Sequence, residues 1–113
     1  MSTIFKKIIN KEINADIVYE DDLSIAFKDI NAVAPTHILI IPKKEIATLN
    51  DIKDEDKEIL GHLFIVAKKI ARKIGISDKG YRVVFNCNDD AGQSVYHIHM
   101  HLLGGRKLLW PPG

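Results

Sequence analysis

The chain is expected to fold as an α+β domain: an antiparallel sheet of about five strands, with one long helix and one short one, covered by helix on one side. Three observations point there. Residues 16–42 contain three short apolar or β-branched runs separated by turn-forming residues. Residues 59–74 switch to apolar spacings of three and four, the period of an amphipathic helix. Two more extended runs follow, and the second alternates histidine with apolar residues.

Taken in order, Ser2 is a candidate cap for a short helix with Ile4, Phe5, Ile8 and Ile9 on one side and Lys6, Lys7 and Lys11 on the other. A helix that short needs the domain beneath it. Residues 16–20, the Asp21-Asp22 turn and residues 23–29 read as a hairpin whose second arm alternates. After a connection over 31–35, residues 37–42 form a strand apolar enough for the middle of the sheet. The long helix carries Ile59, Leu63, Val66, Ile70 and Ile74 on one face. Asp54, Glu55, Asp56 and Glu58 fall in its opening turns, Lys68, Lys69, Arg72 and Lys73 near its close, and Gly75 stops it, as the macrodipole favours. His62 on this helix reads as a surface or packing residue. Residues 80–86 give a fourth strand, 87–94 a polar loop, and then comes the histidine strand. The tail through Leu108, Leu109, Trp110, Pro111 and Pro112 is too apolar to stay bare, and a symmetry mate is its obvious cover.

Length and charge bound the function. With 113 residues the chain makes one domain, 1–113. Apolar residues at 46% and charged ones at 27% describe an ordinary soluble protein, and no membrane contact is expected. Sixteen basic against fifteen acidic residues leave +1, which offers no broad cationic surface for nucleic acid. Any phosphate recognition is then local, made by amides and imidazoles. A single cysteine, Cys87, excludes an internal disulfide and suits a reducing compartment, so a cytoplasmic location is expected.

The chemistry sits in His97, His99 and His101. Period two puts them on one face of a strand, with Tyr96, Ile98, Met100 and Leu102 on the other, buried one. At about 3.3 Å per residue the outer two start roughly 13 Å apart, so all three cannot readily share one metal. Two of them could, with ligands from elsewhere, and a metal-dependent hydrolase using His97 or His101 with His37 is the competing reading. No glutamate follows Glu58 to act as its base, which favours covalent histidine chemistry on phosphorus instead. The preceding loop, with Gly92, Gln93 and Ser94, offers close backbone approach, an amide and a hydroxyl for phosphate oxygens.

The run His97-Ile98-His99-Met100-His101-Leu102-Leu103 resembles the signature of the histidine triad (HIT) superfamily. Ala34-Pro35-Thr36-His37, Ile41-Pro42-Lys43-Lys44, Gly80-Tyr81-Arg82, Gly92-Gln93-Ser94-Val95-Tyr96-His97 and Trp110-Pro111-Pro112-Gly113 are similar to its Hint branch, once called protein kinase C-interacting protein. The resemblance implies a HIT-like fold whose sheet extends across a homodimer, and hydrolysis of purine nucleoside phosphoramidates such as adenosine 5′-phosphoramidate through a nucleotidyl-histidine. It implies His99 as nucleophile, flanked by His97 and His101, with His37 as a fourth, supporting histidine. His101, Asn86, Gly92, Gln93 and Ser94 would surround the α-phosphate and leaving group. Asp29 would accept the ribose hydroxyls, while Phe5, Ile8, Phe27 and Ile30 enclose the purine. Trp110 would reach the partner's site. No cofactor and no metal are implied, and regulatory protein partners and a nuclear pool belong to the same expectation. Some relatives bind zinc through a cysteine pair around the phenylalanine. Here Thr3 and Lys6 flank Ile4-Phe5, which argues against that zinc.

Overall fold

The structure, a computed structural model, describes residues 3–113. Five antiparallel strands lie in the order β1-β2-β3-β5-β4: β1 (Ile17–Glu20), β2 (Ser24–Lys28), β3 (Thr36–Pro42), β4 (Tyr81–Val84) and β5 (Met100–Gly104). The most apolar strand, β3, is the central one, buried from His37 to Pro42 as its composition demands. Helix α2 (Lys57–Ile74) covers one face, packing Leu63, Val66, Ala67 and Ile70 onto Ala26, Ile38, Ile40, Met100 and Leu102. Each such aliphatic side chain contributes about 1.5–3 kcal/mol by leaving water. Ile70→Ala would cost about 2–5 kcal/mol through the cavity it leaves.

The opposite face is treated differently. There Ile25, Phe27, Leu39 and Ile41 meet α1 (Ile4–Ile9), six residues long, through Phe5 and Ile8, with Ala15 and Val95 packed at the margin. So short a helix roofs part of the sheet and leaves the rest accessible. The site lies on that open part.

The elements differ from expectation in four places. Helix α1 is capped by Thr3, whose Oγ1 accepts from the Lys6 amide at 3.1 Å; Ser2 lies outside the described residues. Asp54–Asp56 form a separate 3-10 turn, so only Glu58 of the four acids falls in the first turn of α2. The expected polar loop contains a helical turn, α3 (Asn88–Ala91). The histidine strand begins only at Met100, so His97 and His99 precede it. Pro42 explains this. Continuing the β3–β5 register past Ile40 and Met100 brings Ile98 opposite Pro42, which has no N–H to offer. Ile98 donates instead to the Ile46 carbonyl at 2.8 Å.

Candidate active site

Alternation survives the loss of strand pairing. Ile98, Met100 and Leu102 are buried, Met100 and Leu102 in the core beneath α2, while the three histidines face the other way. Phe5 meets His99 edge-on at 5.0 Å between centroids and His97 at 6.3 Å, and His99 and His101 are 5.0 Å apart. Tyr96 departs from the pattern: it is exposed, with its hydroxyl 3.3 Å from Asp89. It belongs to the bend before the alternation starts.

Hydrogen bonds assign a tautomer to each ring. His97 Nε2 donates to the Pro42 carbonyl at 2.7 Å, leaving Nδ1 as a bare lone pair, buried and without a partner among the described residues. An unpaired acceptor there is the cost of pinning the ring. His99 Nδ1 donates to the His97 carbonyl at 2.9 Å, so the free lone pair of His99 is on Nε2. At His37, Nδ1 accepts from the Val33 amide at 3.1 Å, and the proton is therefore on Nε2. That Nε2 lies 2.9 Å from His101 Nδ1 and 3.3 Å from Asp29 Oδ2. His101 Nδ1 thus accepts, and its proton sits on Nε2. A nucleophilic nitrogen on His99 stands next to a donor N–H on His101.

Burial keeps these rings neutral. It lowers the pKa of His97 and of His99, against the opposing pull of the carbonyl each one faces. Burial, reinforced by repulsion from His99 and His37, lowers His101 to about 4. All three are unprotonated at pH 7, the state in which imidazole is a nucleophile.

His99 and His101 line a cavity of about 380 Å³. Phe5, Ile8, Phe27, Asp29, Ser94, His99 and His101 line it as expected, and Ile30 stands at its rim, 94% exposed. Ile30 is therefore no enclosing wall in this conformation. Three other expected residues lie elsewhere. Asn86 is off the cavity. Gly92, at φ 83°, closes α3 in the left-handed region and brings no backbone to the cavity. Gln93 is buried, and its amide is consumed by the Asn88 amide and the Ala47 and Val95 carbonyls at 2.8–3.1 Å. It braces the loop that carries Ser94. His97 and His37 do not line the cavity but contact the histidines that do, His97 through its carbonyl to His99 and His37 through Nε2 to His101.

Sequence reasoning missed Leu39, Val95, Ile4 and Ile13 as lining residues. Leu39 was within reach of it, since period two puts it on the His37 face of β3. The Val33 amide could not be found this way, because a backbone group leaves no mark in residue type. A larger cavity of about 540 Å³, between Gly75, Lys79 and Arg106, contains no histidine or carboxylate and is not the site.

Asp29, His37 and His101 bring one ligand atom each within 4.8 Å of one another, which suits a metal ion by spacing. The Val33 amide opposes it. With Nδ1 already accepting a proton donor, His37 Nε2 holds a hydrogen and has no lone pair for a metal.

Comparison with known proteins agrees with this geometry. The HIT domain model matches residues 10–108. The purine nucleoside phosphoramidase of Escherichia coli is 58% identical over 106 residues, spanning 94% of this chain and 89% of that enzyme. The crystal structure of a HIT family hydrolase from Legionella pneumophila superposes with a TM-score of 0.97 at 56% identity, covering 99% of this chain and 100% of that one. A histidine triad nucleotide-binding protein from Candida albicans superposes at 0.82 with 34% identity, covering 97% of this chain and 83% of that one.

Proposed function

The chain belongs to the HIT domain family, and we propose that it is a purine nucleoside phosphoramidase acting through a nucleotidyl-His99 intermediate. The observation that carries the mechanism is the pair of assigned nitrogens: a free lone pair on His99 Nε2, held by the His97 carbonyl behind it, beside an N–H on His101.

A purine enters between Phe5, Ile8 and Phe27, whose apolar faces hold its rings. Asp29 presents a carboxylate for the ribose hydroxyls. His99 Nε2 attacks phosphorus, the P–N bond breaks, and its electron pair leaves with the nitrogen. That nitrogen takes one proton, through Ser94 and His101 Nε2–H, and departs as the amine. The positive charge appearing on His99 offsets the proton given up beside it. Water then attacks the same phosphorus and returns its proton to those donors. Breaking of the P–Nε2 bond releases the nucleoside monophosphate. Mass spectrometry of protein mixed with adenosine 5′-phosphoramidate and quenched within a turnover should find a nucleotide adduct on His99; turnover with no adduct there would count against the covalent route.

A homodimer is part of the proposal. Strand β4 pairs on one side only, and Tyr81 on this edge and Phe64, which packs on Phe85 just past its end, are exposed apolar side chains. Trp110, 78% exposed, lies under the Arg82 guanidinium of the same edge strand at 5.6 Å, where it would reach a second copy's site. Sedimentation at micromolar concentration should give twice the chain mass. A monomer there would remove the joined sheet and the role of Trp110.

A further inference from the structure

The donor on His101 depends on His37, whose proton is favoured on Nε2 by the Val33 amide at Nδ1, outside the cavity, together with Asp29 Oδ2 3.3 Å from Nε2. Were the Val33 amide to withdraw, His37 could carry its proton on Nδ1 and turn a lone pair toward His101. His101 would then hold its proton on Nδ1, and its Nε2 could no longer donate. Val33 belongs to the connection between β2 and β3, and two neighbouring residues beyond β5 seat it. Arg106 Nη2 donates to the Val33 carbonyl at 3.0 Å. Gly105, at φ +89°, lies so close that a Cβ there would come within 2.8 Å of Pro35 Cβ and 3.4 Å of the Thr36 amide. Arg106 is exposed and takes no part in lining the nucleotide cavity.

We infer that Arg106, with Gly105 packed against the same connection, is a positioning residue for the hydrolysis: by seating Val33 it holds His37 and His101 in the tautomers that leave a proton on His101 Nε2. The inference rests on the phosphoramidase reading, and it reaches beyond the groups that touch substrate. The order of influence runs from the Arg106 guanidinium to the Val33 backbone, then His37 Nδ1, His37 Nε2 and His101 Nδ1. Arg106→Met removes the donor and keeps a side chain of similar reach, so it relaxes the connection without altering the cavity.

The consequence is selective. Expulsion of an amine needs a proton from His101, whereas nitrophenolate leaves as a stable anion and needs none. Arg106→Met should therefore lower kcat about threefold to tenfold on an alkylamine phosphoramidate of adenosine, the range set by one hydrogen bond. On the nitrophenyl ester of the same nucleotide, kcat should stay within twofold, as should KM for both. Arg106→Lys should restore part of the loss, and Gly105→Ala should reproduce it more severely. Heteronuclear NMR of the imidazole nitrogens gives a readout independent of turnover: His37 should be Nε2-protonated in the wild type, with an Nδ1-protonated population appearing in Arg106→Met. Equal losses on both substrates, or unchanged imidazole spectra in Arg106→Met, would overturn the inference. A wild-type protein inactive on both substrates would instead remove the phosphoramidase reading, and the spectra alone would then decide the tautomer claim. If Gly105→Ala fails to fold, Arg106→Met carries the test.

Discussion

Two histidine–aspartate pairs in this chain use the same chemistry for opposite ends. His62 on α2 lies 2.6 Å from Asp21 in the β1–β2 turn. His37 on β3 lies 3.3 Å from Asp29, just past the end of β2. Asp21 is saturated: besides His62 it accepts from the Tyr19 hydroxyl, the Ser24 hydroxyl and the Leu23 and Ser24 amides. Among the described residues Asp29 accepts only the Asn31 amide beyond its contact with His37, and it faces the cavity. A carboxylate whose lone pairs are all engaged ties a turn to a helix. One with capacity left over can take a ligand. Residue type does not separate the two pairs; hydrogen-bond occupancy does.

The separation should be plainest beside the open pair. His99→Ala removes the nitrogen proposed to attack phosphorus and should cut phosphoramidate hydrolysis at least about 10⁴-fold, the scale of losing a nucleophile. Since the ring packs on Phe5 and not in the core beneath α2, the mutant should remain folded. Wild-type rates in it would place the nucleophile elsewhere.

Exchanging the two aspartates comes next in size. Asp29→Asn should lower kcat/KM by roughly 10–100-fold, the loss of about one hydrogen bond to a charged acceptor, with the melting temperature nearly unchanged. Asp21→Asn should do the reverse, costing about 1–3 kcal/mol of stability as the network around it loses its charge, while kcat and KM stay put. Parallel denaturant titrations and steady-state assays decide it. If both substitutions hit the same property, occupancy does not distinguish a structural pair from a functional one.

Acid should then act in two stages. Burial holds His97, His99 and His101 below their usual 6.5, His101 at about 4. In that interval the unfolded chain binds more protons than the folded one, so stability is full above pH 6.5 and declines as pH drops below it. Activity should persist to lower pH than an ordinary histidine would permit, falling once His99 protonates. At Asp21 burial works against ionisation, yet hydrogen bonds led by His62 hold its pKa well below 3.8. Its contribution is present above that value and is lost only as pH falls further. His62→Gln should weaken the lower stage and leave the upper one intact, as read from urea midpoints against pH. A single transition in the wild type would show that the two regions do not titrate separately.

How much of this was legible beforehand follows the same division. Apolar runs between turn-forming residues located the strands, and periodicity located α2 and the histidine segment, because apolar spacing of two or three to four residues reports directly which face is buried. It placed the three histidines on one face even though Pro42 ends the ladder before two of them. Resemblance supplied Asp29 and Phe5 as ligand residues, and the cavity does bring them together. It did not reveal that Gln93 engages its amide with Asn88, Ala47 and Val95, since motif membership does not say which way a side chain turns. Nor could any pattern have paired His62 with Asp21, 41 positions apart on different elements. Such contacts are set by packing angles, and a sequence period does not carry those.

The smallest effect expected is from a chelator, and it is the sharpest use of the comparison. Asp29, His37 and His101 have the spacing of a metal cage, and the Asp21 cluster, with a single histidine, lacks it. For zinc to bind, His37 would have to move its proton to Nδ1, against the Val33 amide 3.1 Å away. Two donors would then face each other, and the connection between β2 and β3 would have to shift. Dialysis against a chelator should therefore leave kcat/KM unchanged. Added zinc should inhibit only at concentrations high enough to force that rearrangement, in competition with nucleotide because the proposed nucleotide site shares Asp29 and His101. Activity that vanished on chelation and returned with stoichiometric zinc would mean that the Val33 hydrogen bond gives way in solution, and the tautomers assigned to His37 and His101 would fall with it.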